Sequence, residues 1–366
     1  MLQPHYAQRR QQRLLLEMQQ LQLDAVVVAA PEHVYYLSTH RAHWLQQAAF
    51  VLWADGRSWL VAANEPPQSA AADDVETYEA NPMGTQRQEQ PSIVAARVAE
   101  VLAERHAKRV GFDASQVNSR LLLAFEGEPT AIGPTLWQLR RQKDPDELEL
   151  MKVAIACTRA MYARARQVIE PGVPELKVYG ELHAAAVEAA GEPLTAYLGN
   201  DYASGAPGGT PRKDRKAQAG ELYILDLGPA YRGYFADNAR VFAVGGNPTD
   251  AQRAAWEIVT AVFPIVEGMA KPGARCRDIF AAVDEHYRSK AGISFPHHLG
   301  HGVGLQPHEF PHLNPHWDDT LLDGEVFTVE PGLYAPDLAA GMRIENQYLV
   351  TADGVTNLTE FPLELM

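Results

Sequence analysis

Cysteine is scarce in this sequence, with only Cys157 and Cys276 among 366 residues. The two are far apart and neither belongs to a Cys-x-x-Cys motif, so the sequence offers no disulfide framework and no thiolate metal site. An isolated cysteine usually packs as a small apolar side chain, and we expect this of both. Such cysteine usage suits a reducing compartment, so we expect the protein to be cytoplasmic.

Long apolar runs and dense runs of positive charge are missing as well. No stretch approaches the roughly 18 consecutive apolar residues of a membrane-spanning helix, and the N-terminus lacks the apolar segment of a signal peptide. The formal net charge is -14. An acidic chain without a Lys/Arg cluster is a poor partner for a phosphate backbone. We therefore expect neither membrane insertion nor nucleic-acid binding.

Length and composition indicate a folded protein of two domains. The chain is 46% hydrophobic and 21% charged, and 366 residues exceed one ordinary core. Residues 1–140 mix helix-like and strand-like segments, with a hairpin signal at Asp55-Gly56, which is typical of an α/β domain. A helix start at Asp144-Pro145 indicates a second domain, residues 141–366.

The second domain contains a weak internal repeat. EPGVPELKVYGELHAAAVEAAG (170–191) and KPGARCRDIFAAVDEHYRSKAG (271–292) are equally long, and both read Pro-Gly, short turn, helix, Ala-Gly. Each follows a helical segment and precedes a proline-containing loop and strands. The pattern predicts two similar units of a helix pair and a sheet, with coincidental helix punctuation as the alternative.

Two aspartates lie inside strongly β-like runs, Asp226 in YILDLG and Asp237 in YFADNARVF. Aspartate is depleted in strands, and a buried carboxylate is costly unless it is paired or bound to a cation. A turn centred between Tyr231 and Arg232 would place the two aspartates opposite each other, about 5 Å apart on one face. Two like charges so placed would repel each other unless a cation lay between them.

Two glutamates repeat this arrangement downstream. Glu330 ends the apolar run VFTVE, and a connection centred near Asp337 would place it opposite Glu345. Four such carboxylates can hold two divalent ions, and their hard oxygen atoms favour manganese, cobalt, iron or zinc over copper. The alternative is a set of unrelated surface acids or salt bridges, with Arg240 and Arg343 as partners.

A histidine-rich stretch, HHLGHGVGLQPHEF at 297–310, lies between the two acidic pairs in the sequence. Divalent ions lower the pKa of a bound water and polarise a carbonyl oxygen. A cluster of histidines and carboxylates around two such ions predicts hydrolysis of an amide-like bond.

The order of these motifs resembles that of the pita-bread metallopeptidases: Asp226, Asp237 eleven residues later, His301 in GHGVG, Glu330 in VEPG and Glu345 in RIEN. That family includes methionine aminopeptidases, prolidases, aminopeptidase P and a metal-free relative, creatinase. The whole chain is similar to the two-domain prolidase, aminopeptidase P and creatinase branch, because methionine aminopeptidases lack the first domain. The resemblance implies a creatinase-like α/β domain, then an α+β pita-bread catalytic domain with a pseudo-twofold internal repeat.

The resemblance also implies a role for each of the five residues. Asp226 would chelate one of two divalent ions per chain, and Asp237 would bridge both. His301 and Glu330 would hold the other ion, Glu345 would bridge again, and Glu330 would act as general base or proton shuttle. The ions would be manganese, with cobalt, zinc or iron as alternatives. Creatinase-like members replace these acids, so their presence favours a metal enzyme.

Further residues match family positions near the substrate. His297 matches a histidine close to the substrate, and His308 matches one that orients the substrate and stabilises the tetrahedral intermediate. Tyr334 and Arg343 align with residues near the metals and are predicted to bind substrate, although both could be ordinary strand or salt-bridge residues. His298 matches nothing and is predicted to have no role.

Two positions depart from the family pattern. Prolidase-type relatives usually carry Pro-His in the loop before the first aspartate strand, whereas this loop reads ASGAPGGTPRKDRK and has Gly208 there. Ala239 replaces a Thr or Ser that commonly supports the metal ligands. Either another residue replaces the histidine or the substrate differs. The loop also holds basic residues that could contact a substrate carboxylate or simply be solvated: Arg212, Lys213, Arg215 and Lys216.

The activity implied is hydrolysis of the Xaa-Pro imide bond in dipeptides or short peptides, as in Xaa-Pro dipeptidases. Three alternatives remain: release of an N-terminal residue before proline in the manner of aminopeptidase P, hydrolysis of another small amide as in ectoine hydrolase-like relatives, and non-catalytic peptide binding. The partner would be a small peptide or amide. Relatives are mostly homodimers, and the resemblance implies the same assembly here.

Overall fold

The computed structural model describes residues 1–113, 119–194, 199, 201–339, 341–363 and 365. The chain divides into two compact units, Met1–Arg140 and Arg141–Met366. Within the described residues, no helix is both long enough and apolar enough to cross a membrane.

The first unit is built on a mixed six-stranded sheet. Its strands are β1 (Ala25–Val28), β2 (Ala49–Trp53), β3 (Ser58–Ala63), β4 (Asp74–Tyr78), β5 (Arg109–Phe112) and β6 (Glu128–Ala131), in the order β4-β3-β2-β1-β5-β6. Its helices are α1 (Pro4–Leu21), α2 (Pro31–Ser38), α3 (Gln90–Glu104), α4 (Ser119–Ala124) and α5 (Gly133–Leu139), with a 3-10 turn at Pro82–Gly84. The predicted α/β class is confirmed.

The hairpin predicted at Asp55-Gly56 is also confirmed. Strands β2 and β3 pair antiparallel on either side of it, and Gly56 has the positive φ of 88° that glycine adopts without steric cost. The apolar runs that carry this signal are buried almost throughout, so both strands contribute to the core of this unit.

The second unit is α+β. Its helices are α6 (Pro145–Val168), α7 (Glu175–Ala190), α8 (Asp250–Thr260), α9 (Val262–Met269) and α10 (Cys276–Ala291). Its strands are β7 (Asp201–Ser204), β8 (Leu222–Leu227), β9 (Ala230–Tyr231), β10 (Tyr234–Phe235), β11 (Asn238–Ala243), β12 (Gly300–Gly302), β13 (Glu309–Leu313), β14 (Val326–Val329), β15 (Gly332–Leu333), β16 (Met342–Arg343), β17 (Asn346–Thr351) and β18 (Gly354–Asn357), with a 3-10 turn at Pro336–Leu338. They form antiparallel sheets in the orders β11-β8-β7 and β13-β12-β14-β17-β18, with two-stranded pairs β10-β9 and β15-β16.

The internal repeat predicted from the sequence is present in this unit. Helices α7 and α10 each follow a Pro-Gly turn, in which Gly172 and Gly273 have φ of 88° and 85°. Each of these glycines donates its N–H to a carbonyl oxygen further along the chain, at 2.7 and 2.8 Å. Both helices also end on a left-handed glycine, Gly191 and Gly292. Two similar helix pairs therefore accompany the two larger sheets.

The first acidic hairpin differs in register from the prediction. Asp226 lies opposite Ala239, not opposite Asp237. The turn is centred between Arg232 and Gly233, because both have positive φ (49° and 91°), as a two-residue type I′ turn requires. The predicted pairing was therefore wrong by two positions. A shift of two preserves the side of the strand, so Asp237 still lies on the side of Asp226.

The second acidic hairpin has the predicted register. Val329 pairs with Asn346 and Gly332 pairs with Arg343, which places Glu330 and Glu345 across from each other.

Candidate metal centre

Three carboxylates from the two hairpins converge inside the second unit. Asp226 lies in β8, Asp237 lies just before β11, and Glu345 lies just before β17. Each offers an oxygen within 4.8 Å of the others, and all three residues are buried, at 5%, 3% and 1% exposure. Three carboxyl groups that are so close together and so poorly solvated cannot all stay ionised without a cation nearby.

The pKa values of these three carboxyl groups are raised because the groups are buried close together. Burial raises the pKa of Asp226 to about 6. Burial and then the neighbouring Asp226 charge raise the pKa of Asp237 well above its ordinary value, and burial and then Asp237 do the same to Glu345. Among the described residues, Asp226 Oδ1 and Glu345 Oε1 have no hydrogen-bond partner despite being buried. Buried anionic oxygens without donors are what a divalent cation requires, so these residues fit a metal ion.

His301 presents a nitrogen to the same cluster. Its Nδ1 lies 3.0 Å from the carbonyl oxygen of Gly302, which makes Nδ1 the protonated nitrogen. The unprotonated Nε2 then faces Asp237 Oδ2 at 3.8 Å and Glu330 Oε1 at 3.4 Å. Burial lowers the pKa of His301 to about 4, so the ring is neutral at neutral pH. A neutral imidazole oriented by a carbonyl is the form that binds metals.

Glu330 lies at the end of β14 and contacts His298. His298 Nε2 lies 3.0 Å from Glu330 Oε1, and the Thr328 hydroxyl donates to the same oxygen at 3.4 Å. Burial raises the pKa of Glu330, but the hydrogen bond from His298 and the attraction of His301, which is protonated at the low pH where Glu330 titrates, outweigh it and bring the pKa to about 2. The same hydrogen bond raises the pKa of His298.

The sequence assigned His298 no role, and the structure places its ring in contact with Glu330. The backbone between α10 and β12 is irregular, so His297 and His298 do not alternate between two faces as neighbours in a strand would. Both rings approach Glu330, with one ligand atom of each residue within 4.8 Å of the others. The sequence signal for this contact was the pair of adjacent histidines. The resemblance to the family gave a role to only one of them, His297.

His297 and His308 also lie at the cluster. The His308 ring stacks on His301, with centroids 3.7 Å apart and an interplanar angle of 13°. His297 Nδ1 lies 2.8 Å from the His298 carbonyl oxygen, so its Nε2 accepts from the Tyr334 hydroxyl at 3.2 Å. Burial lowers the pKa of both His297 and His308, so both are neutral at neutral pH.

Arg343 links the Tyr334 hydroxyl to Asp226. Its Nη1 donates to the Tyr334 hydroxyl at 3.2 Å and its Nη2 donates to Asp226 Oδ2 at 2.8 Å. The salt-bridge alternative therefore describes Arg343 correctly, and its predicted contact with substrate stays a prediction. Arg240, the other proposed salt-bridge partner, donates to carbonyl oxygens of Glu345 and Pro362.

Strand β7, which leads into the loop that carries Gly208, contains a residue that sequence reasoning missed. A Cβ at Gly208 would lie 2.8 Å from Asp201 Oδ2, and Gly208 has a φ of 156°. Asp201 accepts a hydrogen bond from Arg343 and lies opposite Asp226 in the sheet. An aspartate within a short strand was the available signal, the same one that identified Asp226 and Asp237.

Two of the basic residues of this loop have local partners. Arg212 forms an ion pair with Glu175 at 2.6 Å and Arg215 forms one with Glu221. Glu175 is fully buried, so Arg212 holds the loop against α7. These contacts favour a structural role over binding of a substrate carboxylate.

Comparisons with known proteins agree with this geometry. The model of metallopeptidase family M24 matches residues 149–352, and the creatinase/prolidase N-terminal domain model matches residues 10–141. An Xaa-Pro dipeptidase of Pyrococcus furiosus is 31% identical over 64% of this chain and 68% of its own length.

Solved structures share the fold over nearly the whole chain. An Xaa-Pro dipeptidase from Bacillus anthracis is 25% identical, has a TM-score of 0.84 and aligns over 98% of this chain and 99% of its own. An X-Pro aminopeptidase from Thermotoga maritima, at 23% identity and a TM-score of 0.82, aligns over 97% and 99%. With the M24 model covering more than half of the chain and the acidic cluster in place, the protein belongs to metallopeptidase family M24 and is a metallopeptidase of the two-domain, prolidase-type branch.

Proposed function

We propose that the protein hydrolyses the Xaa-Pro imide bond of dipeptides or short peptides and depends on two divalent metal ions. The observation that carries the proposal is the buried trio of Asp226, Asp237 and Glu345, with His301 Nε2 directed at it and two carboxylate oxygens lacking donors among the described residues. The substrate class comes from the Pyrococcus furiosus and Bacillus anthracis relatives, both of which are named Xaa-Pro dipeptidases.

The residues that would hold the ions are the five of the predicted set. They offer four carboxylates and one neutral imidazole, a hard, anionic set that suits manganese first and also cobalt, iron or zinc. When bound, the ions would lower the pKa of the attacking water and polarise the scissile carbonyl. The ligands are Asp226, Asp237, His301, Glu330 and Glu345.

Glu330 is the group that moves the proton. Its pKa of about 2 keeps it ionised at neutral pH, so its carboxylate can accept a proton from the attacking water. The same carboxylate can then deliver that proton to the imide nitrogen as the bond to proline breaks. His298 and Thr328 fix its orientation by their hydrogen bonds to Oε1.

His308 and His297 bind and orient the substrate. The neutral His308 ring lies parallel to His301 beside the cluster, and its N–H would stabilise the oxyanion that forms from the scissile carbonyl. His297 is tied to Tyr334 and through it to Arg343, so this row of side chains forms one wall of the site. A small peptide or amide is the partner that we propose for this wall.

The test is a substrate panel on full-length protein that is stripped of metal and reloaded with Mn²⁺. We expect metal-dependent release of proline from Xaa-Pro dipeptides, with Xaa-Ala dipeptides as the control substrate and Glu330→Gln as the inactive control. Faster cleavage of longer Xaa-Pro peptides would make the protein an aminopeptidase P-type enzyme. Turnover of a cyclic amidine such as ectoine without Xaa-Pro cleavage would identify a different small-amide hydrolase. No turnover of any of these substrates would overturn the proposal.

We further propose that the protein is a cytoplasmic homodimer. The cysteine usage supports the compartment, since neither buried cysteine is part of a disulfide. The homodimer comes from the resemblance to prolidases alone. Light scattering should give twice the 40.3 kDa of the chain, and a mass of one chain would contradict the dimer.

A further inference from the structure

Asp201 faces a proposed metal ligand across the sheet. Strands β7 and β8 are antiparallel neighbours, and their register pairs Asp201 with Asp226. Directly opposed side chains lie about 5 Å apart on the same face of a sheet. Both carboxylates are largely buried, at 13% and 7% side-chain exposure. Their repulsion therefore has to be balanced by a cation.

Arg343 is that cation. Its Nη2 donates to Oδ2 of Asp201 and, at 2.8 Å, to Oδ2 of Asp226. The guanidinium is itself 12% exposed, so it is held between the two carboxylates and away from solvent. Asp201 is fixed from its other side, because Gly209 donates its N–H to Asp201 Oδ1 at 2.5 Å.

Because the Arg343 guanidinium is shared between two carboxylates, one nitrogen of Arg343 and one oxygen of Asp226 form no hydrogen bond in the described part of the chain. Among the described residues, Arg343 Nε and Asp226 Oδ1 are both buried and have no hydrogen-bond partner. An arginine beside one carboxylate usually forms two parallel hydrogen bonds to it, one to each oxygen. Here the second bond is not made, because Asp201 holds part of the fork.

We propose that Asp201 is a positioning residue that draws Arg343 away from Asp226 Oδ1 and so keeps that oxygen available to a divalent ion. Without Asp201, the guanidinium would close both hydrogen bonds onto Asp226 and compete with the ion for its ligand. This inference rests on the proposed metal site. It assigns Asp201 a role in metal affinity through Arg343, without contact to the reacting atoms.

Gly208 supports this arrangement. The space beside it is filled by the Asp201 carboxylate, to within 2.8 Å of where a Cβ would stand. A side chain at position 208 would therefore contact the Asp201 carboxylate, and one of the two would have to shift.

The experiment measures Mn²⁺ binding to metal-stripped, full-length protein by calorimetric titration. Four proteins are compared: wild type, Asp201→Asn, Arg343→Gln and the double variant. Asparagine keeps the size of the side chain and its acceptor for the Gly209 N–H, but it removes the charge that holds Arg343. We expect Asp201→Asn to raise the Kd of the tighter site at least tenfold in the wild-type background, and less than threefold when Arg343 is already glutamine.

Two results would overturn the proposal while wild type binds Mn²⁺. One is a Kd of Asp201→Asn within twofold of wild type. The other is an equal change in Kd in both backgrounds, since that would mean that Asp201 does not act through Arg343. Circular dichroism of the metal-free proteins checks folding. Asp201→Glu serves if the asparagine variant does not fold, with a Kd expected to exceed that of wild type because the longer side chain moves the carboxylate relative to Arg343. Wild type without any Mn²⁺ binding would instead overturn the proposed function together with this inference.

Discussion

Gly208 stands where the resemblance to prolidases leads us to expect a histidine, but the structure indicates that adding a side chain there would be harmful. Restoring a side chain there would push against the Asp201 carboxylate, whose oxygens would lie 2.8 and 2.9 Å from the new Cβ. We predict that Gly208→Ala lowers Mn²⁺ affinity several-fold and stability by about 1–2 kcal/mol. Denaturant unfolding and metal titration measure the two effects.

Gly220→Ala is the matched control for that substitution. Gly220 also has a positive φ, 85°, but a Cβ there would meet nothing within 4 Å. It should therefore lose a similar amount of stability while it keeps its metal affinity. Equal losses of metal affinity in both variants would show that loop strain, and not contact with Asp201, is responsible.

Residues of the candidate site could be predicted from the sequence where their type is rare in the local secondary-structure pattern. Asp226 and Asp237 stand out because acids are rare in apolar strands, and the structure places both in the cluster. The role of Asp201 depends on Arg343, which lies 142 residues further along the chain. No local pattern contains that contact, so the sequence alone does not reveal it.

The hairpin between β8 and β11 delivers both aspartates, so its turn controls the site. Gly233 has a φ of 91°, which a side chain adopts only with strain of about 1–2 kcal/mol. We predict that Gly233→Ala costs this much stability and also weakens Mn²⁺ binding, because strain in the turn shifts Asp237 relative to Asp226. Unfolding curves with and without Mn²⁺ would show both effects.

Gly246→Ala separates turn strain from register. Gly246 has a comparable φ of 75° and open space around it, in the turn after β11. Its substitution should destabilise the protein by a similar amount with an unchanged Kd for Mn²⁺. A Kd that changes equally in both variants would contradict the role given to the β9–β10 turn.

Elements were easier to predict than their pairing. The Pro-Gly turns and the glycine ends of α7 and α10 are local signals, and the predicted repeat is present. The register of the first hairpin was missed because the apolar alternation fits any shift of two residues. Only the turn residues decide it, and there Arg232 adopts a positive φ that is unusual for arginine.

Stability of the whole molecule should depend on pH in opposite ways with and without metal. Asp237 and Glu345 have pKa values raised by burial, so the folded protein keeps protons that the unfolded chain has already released. Stability of the metal-free protein should therefore fall as pH rises above neutrality, for as long as the two folded carboxyls retain their protons. Histidines with lowered pKa, such as His301 at about 4, are neutral in both states over this range and do not oppose the trend.

Bound Mn²⁺ should reverse this slope. Ions replace the retained protons, so their affinity increases as the carboxylates ionise, and the stabilisation that they provide grows with pH. Denaturant unfolding at several pH values, with Mn²⁺ and with a chelator, measures both slopes. Parallel slopes in the two conditions would contradict a metal site built from these carboxylates.

The fold class of the whole chain was predictable because its evidence is distributed. Alternating helices and strands in the first unit, the repeat in the second and five ordered motifs all indicate the same architecture, which the family models and solved structures confirm. The sequence does not identify the metal, because a set of carboxylates and one imidazole accepts several divalent ions.

The most direct measurement is the Mn²⁺ content of wild type and Glu345→Gln after loading and dialysis, combined with the metal-free unfolding midpoint. Glutamine has nearly the size of glutamate but cannot ionise, so it removes one of the three buried carboxyl groups. We predict two ions per chain in wild type, fewer than one in the variant, and a metal-free midpoint in the variant that equals or exceeds that of wild type. Wild type without bound Mn²⁺, or a variant that retains two ions as tightly, would contradict the account.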